Sequence, residues 1–317
     1  MRRLVLLGLL AVIALGTLAP AAGAEFRSEH CAFRRDGPPG PRGNRLFVFA
    51  EYTVGIFRRG DEIHVSYDGP RCTGAKATIW NTDLVIVETY GGEGVFINER
   101  WGRIERGGAQ VRIFARRLDY LGSPGRDRII ASMTRAGDVG LDLVPSRGGS
   151  RQKYDLVFPR AVPRTLRLYG EQGGDLIDAR RVRKMGGHHE RHKLWLAGEE
   201  GQDTILGSRG SETRIEDGAG DDLVRAGGGN DEVWMGLGHD VVFGGSGNDR
   251  LEYSVYERFS GVPADVPDRI YGGPGQDRLS DLNRRPDLLR CGPGFDEAAR
   301  ERRDRPAADC EKRPRVR

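Results

Sequence analysis

The chain has 317 residues, of which 38% are hydrophobic and 30% are charged, and it contains 47 glycines. This hydrophobic content is enough for a packed core and excludes wholesale disorder, while glycine occurs at about twice its average share of roughly 7%. The formal net charge of +4 is nearly balanced for this length, so no nucleic-acid partner is predicted.

Residues 1–24 have the pattern of a secretory signal peptide. Arg2 and Arg3 precede an apolar run over residues 4–18, and small residues at 22–24 form a cleavage site. A membrane anchor is the alternative, but the run is short for a span and no stop-transfer segment follows. We therefore predict a secreted, extracellular protein with no membrane span after cleavage.

The amino-terminal region, residues 25–163, is rich in strand patterns. EIHVSY at 62–67 alternates apolar and polar residues, and DLVIVETY at 83–90 and QVRIFARRL at 110–118 are typical of buried strands. GGEGVFINE at 91–99 has the glycine spacing of the repeat described next, with Phe96 at its acidic position. We predict a degenerate, solenoid-like continuation of that repeat, with a separate small all-β domain as the alternative.

A nine-residue unit recurs along the chain, and most of its copies lie in the predicted repeat region, residues 164–290. Four copies are contiguous from residue 217, namely DGAGDDLVR, AGGGNDEVW, MGLGHDVVF and GGSGNDRLE. Further copies begin at residues 122, 137, 170, 198, 272 and 291, and their spacing shows that loops or phase slips interrupt the array. In the contiguous copies, positions two and four are glycine, position six is aspartate and position eight is apolar. Such a period predicts a solenoid, in which each unit is buried by its neighbours.

The eighth positions of the four contiguous copies are predicted to stack as an internal ladder of Val224, Val233, Val242 and Leu251. If two units form one coil, turns on the same side lie eighteen residues apart. Asp222 then lies beside Asp240, and Asp231 lies beside Asp249. Stacked carboxylates repel one another and resist desolvation. A Ca²⁺ ion removes this penalty, because it accepts carboxylate and backbone carbonyl oxygens in flexible geometry.

These units resemble the hemolysin-type calcium-binding repeat (RTX) family, whose unit is G-G-x-G-x-D-x-U-x with U apolar. GGSGNDRLE and GGPGQDRLS match every defined position, and AGGGNDEVW and MGLGHDVVF lack only the first glycine. The resemblance implies an all-β fold, a parallel β-roll or β-solenoid with Ca²⁺ held between successive turns. It implies carboxylate ligands from Asp222, Asp231, Asp240, Asp249, Asp277, Asp203 and Asp175, and carbonyl ligands from Gly227, Gly229, Gly236, Gly238, Gly245 and Gly247.

Two segments depart from the repeat. GSRGSETRI at 207–215 has Glu212 in place of aspartate and Arg214 at the apolar position, which predicts a bulged or non-binding coil. Residues 253–267 carry Tyr253, Tyr256 and Phe259 followed by two prolines, which predicts a surface loop inserted in the β-roll. Its aromatic side chains either pack locally or contact a cell-surface or glycan partner.

The four cysteines are Cys31, Cys72, Cys291 and Cys310, an even number that suggests disulfides in an exported chain. Pairing the first two and the last two closes one local loop at each end of the chain, and two other connectivities remain open. Residues 291–317 are then a disulfide-closed cap with a basic tail, and such a cap covers the exposed end of a solenoid.

No catalytic motif is present. The chain has neither a G-x-S-x-G elbow nor a P-loop, and GGHHERHK at 186–193 lacks the H-E-x-x-H pattern of a zinc protease. We therefore predict a calcium-binding protein with a structural or adhesive role that is not an enzyme. The alternative is an exported enzyme with catalytic residues in 25–163 and the repeats as a calcium-dependent folding module.

Overall fold

The computed structural model describes residues 30–34, 45–50, 54–59, 62–66, 73–74, 77, 84–89, 94–99, 110–115, 117–133, 138–143, 156–158, 165–182, 194–209, 213–253, 266–283, 285–306, 308–312 and 314. The predicted signal peptide at 1–24 lies outside them. All regular elements of the described residues are β-strands. In this part of the chain no helix is long and apolar enough to cross a membrane.

Within the described ranges there are 26 strands. The first twelve are β1 (His30–Arg34), β2 (Arg45–Ala50), β3 (Val54–Arg59), β4 (Glu62–Ser66), β5 (Thr73–Gly74), β6 (Leu84–Thr89), β7 (Gly94–Asn98), β8 (Gln110–Phe114), β9 (Arg117–Leu121), β10 (Arg128–Met133), β11 (Val139–Asp142) and β12 (Leu156–Phe158). The others are β13 (Thr165–Gln172), β14 (Leu176–Arg181), β15 (Leu194–Glu200), β16 (Thr204–Leu206), β17 (Thr213–Ala219), β18 (Leu223–Gly228), β19 (Glu232–Met235), β20 (Val241–Ser246), β21 (Arg250–Tyr253), β22 (Arg269–Tyr271), β23 (Arg278–Ser280), β24 (Leu288–Arg290), β25 (Glu297–Ala299) and β26 (Arg305–Pro306).

The strands form two sheets that share one core. A fifteen-stranded sheet, the long sheet, has the order β26-β24-β22-β20-β18-β16-β14-β10-β11-β12-β8-β6-β2-β1-β5. An eleven-stranded sheet, the short sheet, has the order β25-β23-β21-β19-β17-β15-β13-β9-β7-β3-β4. From β13 to β26 the chain alternates between the sheets, and every neighbouring pair in this part of the chain is parallel. One strand from each sheet therefore makes one coil, which confirms the predicted β-solenoid.

The amino-terminal region continues the same two sheets. Strand β9 pairs in parallel with both β7 and β13, and β6 pairs in parallel with β8. This continuity agrees with the predicted degenerate solenoid. The regular stacking is interrupted in the long sheet, where β11 and β12 lie between β8 and β10 and pair antiparallel with each other. The short sheet has no equivalent strands at this level, because β13 pairs directly with β9.

The predicted apolar ladder forms two columns on opposite sheets. Val224 and Val242 are paired neighbours in the long sheet, and Val233 and Leu251 are paired neighbours in the short sheet. All four side chains have 0% exposure. Because each short strand buries so little surface alone, the stability of a coil depends on the coils stacked against it.

The segment at 207–215 corrects one sequence inference. Arg214 does not lie at the apolar position, because Ile215 enters the core and pairs with Val233. The predicted bulge at Glu212 lies outside the described residues. The guanidinium of Arg214 instead lies on the outer face of the short sheet, 4.6 Å from the Trp195 ring centre and 4.7 Å from that of Trp234. Such cation–π contacts are worth about 0.5–1 kcal/mol at exposed sites.

One of the two predicted disulfides lies within the described residues. Cys291 and Cys310 form a buried disulfide with their Cα atoms 5.2 Å apart, which confirms one predicted pair. The proposed partner of Cys31 is Cys72, which lies outside the described residues. In the predicted loop at 253–267, Tyr253 is the last residue of β21, whereas residues 254–265 also lie outside them.

Candidate metal centre

Two rows of buried aspartates follow the edges of the solenoid, and each aspartate directly precedes a strand or occupies the equivalent turn position. The first row lies where the chain passes from the short to the long sheet, and it comprises Asp127, Asp175, Asp203, Asp222, Asp240, Asp268, Asp287 and Asp304. The second row lies on the opposite edge and comprises Asp231, Asp249, Asp277 and Asp296. The rows arise because position six of every repeat ends the turn and begins the next strand.

Hydrogen bonds connect successive members of each row. The N–H of Asp222 donates to Asp240 Oδ1 at 3.0 Å, and the N–H of Asp231 donates to Asp249 Oδ1 at 2.8 Å. The structure thus brings together the two aspartate pairs inferred from the eighteen-residue spacing. The N–H of Asp249 donates in turn to Asp277 Oδ1 at 2.9 Å.

Asp175 and Asp203 continue the first row despite the irregular spacing of their repeats. The N–H of Asp175 donates to Asp203 Oδ1 at 2.6 Å, and the N–H of Asp203 donates to Asp222 Oδ1 at 2.7 Å. The 28 residues that separate Asp175 from Asp203 include a segment at 183–193 between β14 and β15. The additional residues are therefore accommodated between strands, and the aspartates stay in register.

The second carboxylate oxygen of several row members has no hydrogen-bond donor. Within the described structure, this buried Oδ2 accepts no hydrogen bond in Asp175, Asp203, Asp222, Asp249 and Asp277. A buried polar atom without a partner costs free energy, and a buried charge costs much more. Rows of such oxygens fit a bound cation, which would supply the missing interaction.

Burial changes the protonation of these carboxyl groups. It raises the pKa of Asp222 to about 9, opposed by the hydrogen bond from Asp203 and reinforced by the charge of Asp240. Burial also raises the pKa of Asp249 to about 6 and that of Asp277 to about 7. Without a cation, part of each row is therefore protonated near neutral pH.

Backbone carbonyl oxygens complete the oxygen-rich edges. The Gly227 oxygen lies only 2.0 Å from the place that a Cβ at Gly245 would occupy, and the Gly229 oxygen lies 1.9 Å from that place at Gly247. These carbonyls therefore point towards the next coil. The carbonyl oxygens of Gly245 and Gly247 point in the same way towards the coil of β22 and β23.

On the first-row edge the carbonyl set differs from the one inferred. Gly236 and Gly238 face the oxygens of Gly218 and Gly220, at 1.6 and 1.9 Å from the corresponding Cβ places. The carbonyl oxygens that face this gap are therefore those of Gly218 and Gly220. These two glycines occupy positions two and four of DGAGDDLVR, so the repeat pattern already indicates them. The coil that follows Gly236 and Gly238 contains residues 254–265, outside the described ranges.

Sequence reasoning also missed several acidic residues. Asp268 begins DRIY and Asp287 begins DLLR, and both match the aspartate–x–apolar end of the repeat without its glycines. Asp127 and Asp296 belong to copies that were recognised but not assigned as ligands. The described residues also contain two groups of three carboxylates, Asp217 with Asp222 and Asp240, and Asp268 with Asp281 and Asp287.

The edges of the described solenoid can hold hard cations. Carboxylate and carbonyl oxygens in flexible numbers suit Ca²⁺, whereas Mg²⁺ demands near-octahedral geometry and keeps bound water. A bound Ca²⁺ would supply positive charge between coils. The residues of the chain that would hold it are the aspartates of a row and the carbonyls of the glycine turns.

The metal-free protein is predicted to lose stability as the pH rises from about 5 to about 8. Asp222 has its pKa raised from 3.8 to about 9, so the folded state holds a proton that the unfolded state releases. This contribution is present below the unfolded pKa and is lost as the pH rises through the folded pKa. Saturating calcium should reverse the trend, because Ca²⁺ replaces the protons. The β circular-dichroism signal retained in chelator and the urea unfolding midpoint with calcium, each followed across this pH range, measure both slopes. A metal-free protein that retains more β signal at the higher pH would contradict this account.

Comparison with known families agrees with the geometry. A family model described as RTX calcium-binding nonapeptide repeat (4 copies) matches residues 216–251 and 267–280. No curated protein matches the chain, and no solved structure matches it. Repeats of this family bind Ca²⁺, and the matched residues contain parts of both aspartate rows. Residues 216–251 and 267–280 of this chain are therefore RTX calcium-binding nonapeptide repeats.

Proposed function

We propose that this chain is an exported, non-catalytic protein whose solenoid is stabilised by Ca²⁺ and serves a structural or adhesive role. The observation that carries the proposal is the pair of aspartate rows. Buried Oδ2 atoms without hydrogen-bond donors recur from coil to coil, and glycine carbonyls face the same gaps. The repetition makes metal binding a property of the whole array.

The cap and the chemistry of calcium support an exported location. The Cys291–Cys310 disulfide suits an oxidising compartment, since disulfides are rare in the cytosol. Extracellular calcium modules bind with dissociation constants of about 10⁻⁴–10⁻³ M. An exported protein that folds around such sites would become ordered after it leaves the cell. A glycan or cell-surface partner and a catalytic site in 25–163 stay predictions.

Calorimetric titration of Ca²⁺ into chelator-stripped protein tests the proposal. The wild type should bind several ions, and Asp249→Asn should weaken part of this binding by at least about tenfold, because affinity depends on the number of charged ligands. Asp249 is suited to this test because its carboxylate adjoins Asp231 and its N–H adjoins Asp277. In chelator the variant should retain at least as much β circular-dichroism signal as the wild type, since the substitution removes a buried charge but keeps the Oδ1 acceptor.

Asp221→Asn is the matched control. Asp221 lies in the same kind of turn, but its side chain is exposed and accepts a hydrogen bond from the N–H of His239 at 2.9 Å. This variant removes the same charge outside the rows and should bind calcium as the wild type does. A wild type that takes up no Ca²⁺, or an Asp249→Asn variant that binds like the control, would refute the proposed role of the rows.

A further inference from the structure

A side chain at position one of the repeat would begin close to the Oδ2 atom of the position-six aspartate. At Gly198 a Cβ would lie 2.4 Å from Asp203 Oδ2, and at Gly244 and Gly272 it would lie 2.6 Å from the Oδ2 of the aspartate in the same repeat. Glycine at this position therefore leaves space beside the carboxylate. A carboxylate at this position can therefore lie beside the aspartate of the same repeat, whereas the apolar Met235 at this position packs into the hydrophobic core.

Asp217 occupies position one of the repeat DGAGDDLVR, whose position-six aspartate, Asp222, belongs to the first row. It follows Glu216, which pairs with Ala197 on one neighbouring strand and with Trp234 on the other, so Asp217 is in register with Gly198 and Met235. The Asp217 side chain is completely buried. One of its carboxylate oxygens lies within 4.8 Å of carboxylate oxygens of both Asp222 and Asp240.

Only half of the Asp217 carboxylate has a structural explanation. Its Oδ1 accepts hydrogen bonds from the N–H groups of Gly218 at 2.8 Å and Gly236 at 2.6 Å. Its Oδ2 is buried and accepts no hydrogen bond from the described residues. If residue 217 served only to accept these two hydrogen bonds, it would not need to be acidic, because the uncharged side chain of asparagine offers the same Oδ1 acceptor.

A related group lies further along the chain, where the Asp281 carboxyl is hydrogen-bonded to the Asp268 carboxyl and Asn283 Nδ2 donates to Asp268 Oδ2 at 3.1 Å. Strands β21 and β23 pair up to Glu252 opposite Ser280, so the next residues, Tyr253 and Asp281, lie at the same level. Tyr253 is paired with Met235 on the other side. Asp281 therefore lies in the same column as Asp217. It is fully buried and forms the second three-carboxylate group, with Asp268 and Asp287. In the described part of the chain, each three-carboxylate group thus contains one position-one aspartate.

We propose that Asp217 and Asp281 convert two first-row positions into three-carboxylate calcium sites, which bind Ca²⁺ before the two-carboxylate positions do. This inference rests on the proposed calcium-binding function. A third carboxylate raises the charge of the ligand set, and ligand charge is a main determinant of calcium affinity. Because binding requires stacked coils, ions held at these two sites would order the coils around them first.

Calorimetric titration of the full-length, chelator-stripped protein with Ca²⁺ tests the proposal. The wild type should show a tight class of sites followed by a weaker class. Asp217→Asn should remove about one ion from the tight class, with a loss of affinity of at least about tenfold at that site, and adding Asp281→Asn should remove a second. Asparagine keeps the Oδ1 acceptor for Gly218 and Gly236, so a purely structural role would be preserved.

Two further variants make the result decisive. Asp217→Gly places the family's own residue at position one and should give the same loss in a backbone suited to glycine. Asp221→Asn removes an exposed carboxylate from the same turn and should leave the tight class intact. The inference is overturned if the wild type binds calcium and both Asp217→Asn and Asp217→Gly bind it as the wild type does, or if Asp221→Asn produces the same loss as the Asp217 variants. Absence of binding in the wild type would instead refute the proposed function itself.

Discussion

Removal of calcium is expected to unfold most of the repeat array. At a free concentration of 100 Kd, each site adds about 2.7 kcal/mol to stability. Four occupied sites would therefore contribute about 11 kcal/mol, which is comparable with the whole stability of a typical domain, about 5–15 kcal/mol. In addition, the metal-free rows retain buried carboxyl groups whose Oδ2 atoms lack donors. Far-ultraviolet circular dichroism should show a loss of β signal with chelator and its return with added Ca²⁺.

The loss should be unequal along the chain. The first-row aspartates begin at Asp127, so the strands from β2 to β8 lie outside the rows. Hydrogen exchange should therefore rise strongly in β13–β24 and much less in β6 and β7 when calcium is removed. Mg²⁺ is the control ion and should restore little structure, because it keeps its water and octahedral geometry. Equal spectra and melting temperatures with and without chelator would contradict this expectation.

Gly247→Ala is expected to destabilise the calcium-bound protein by roughly 3 kcal/mol. Gly247 has φ +129°, which side-chain-bearing residues rarely adopt, and a Cβ there would lie 1.9 Å from the Gly229 carbonyl oxygen. The methyl group would force apart two coils and displace a carbonyl that faces the calcium gap. Denaturant unfolding and calcium titration of the same variant should show lower stability together with weaker binding.

Gly125→Ala is the matched substitution. Gly125 stands at position four of the copy GSPGRDRII, as Gly247 does in GGSGNDRLE. A Cβ at Gly125 would meet no atom within 4 Å, and its backbone does not have a positive φ. The change should therefore be close to neutral. If both variants lost the same stability, close approach of the coils could not be the reason for the glycine at 247.

The recurring unit was sufficient to predict the solenoid and its apolar columns. Side chains alternate between the two faces of a short strand, so the apolar residue at position eight must face the core. Val233 and Leu251 could therefore be placed in the core from their spacing. The same spacing paired Asp231 with Asp249, because contiguous units of nine residues leave no freedom of register. Where units were not contiguous, spacing failed. Asp203 and Asp222 are neighbours although their sequence separation is 19, because the chain from Ile205 to Ile215 is one residue longer than a repeat unit.

The repeat pattern by itself thus determined the fold class, the chemical nature of the ligands and the preferred ion, because backbone turns and side-chain alternation are local properties. The tertiary structure alone decided which coils are neighbours across insertions and how Arg214 and Ile215 divide between surface and core. It also brought Asp217 beside Asp222 and Asp240, and Asp281 beside Asp268 and Asp287. The reason is that carboxylate contacts between coils depend on how the parallel strands are stacked, and loops of variable length hide that register from the linear sequence.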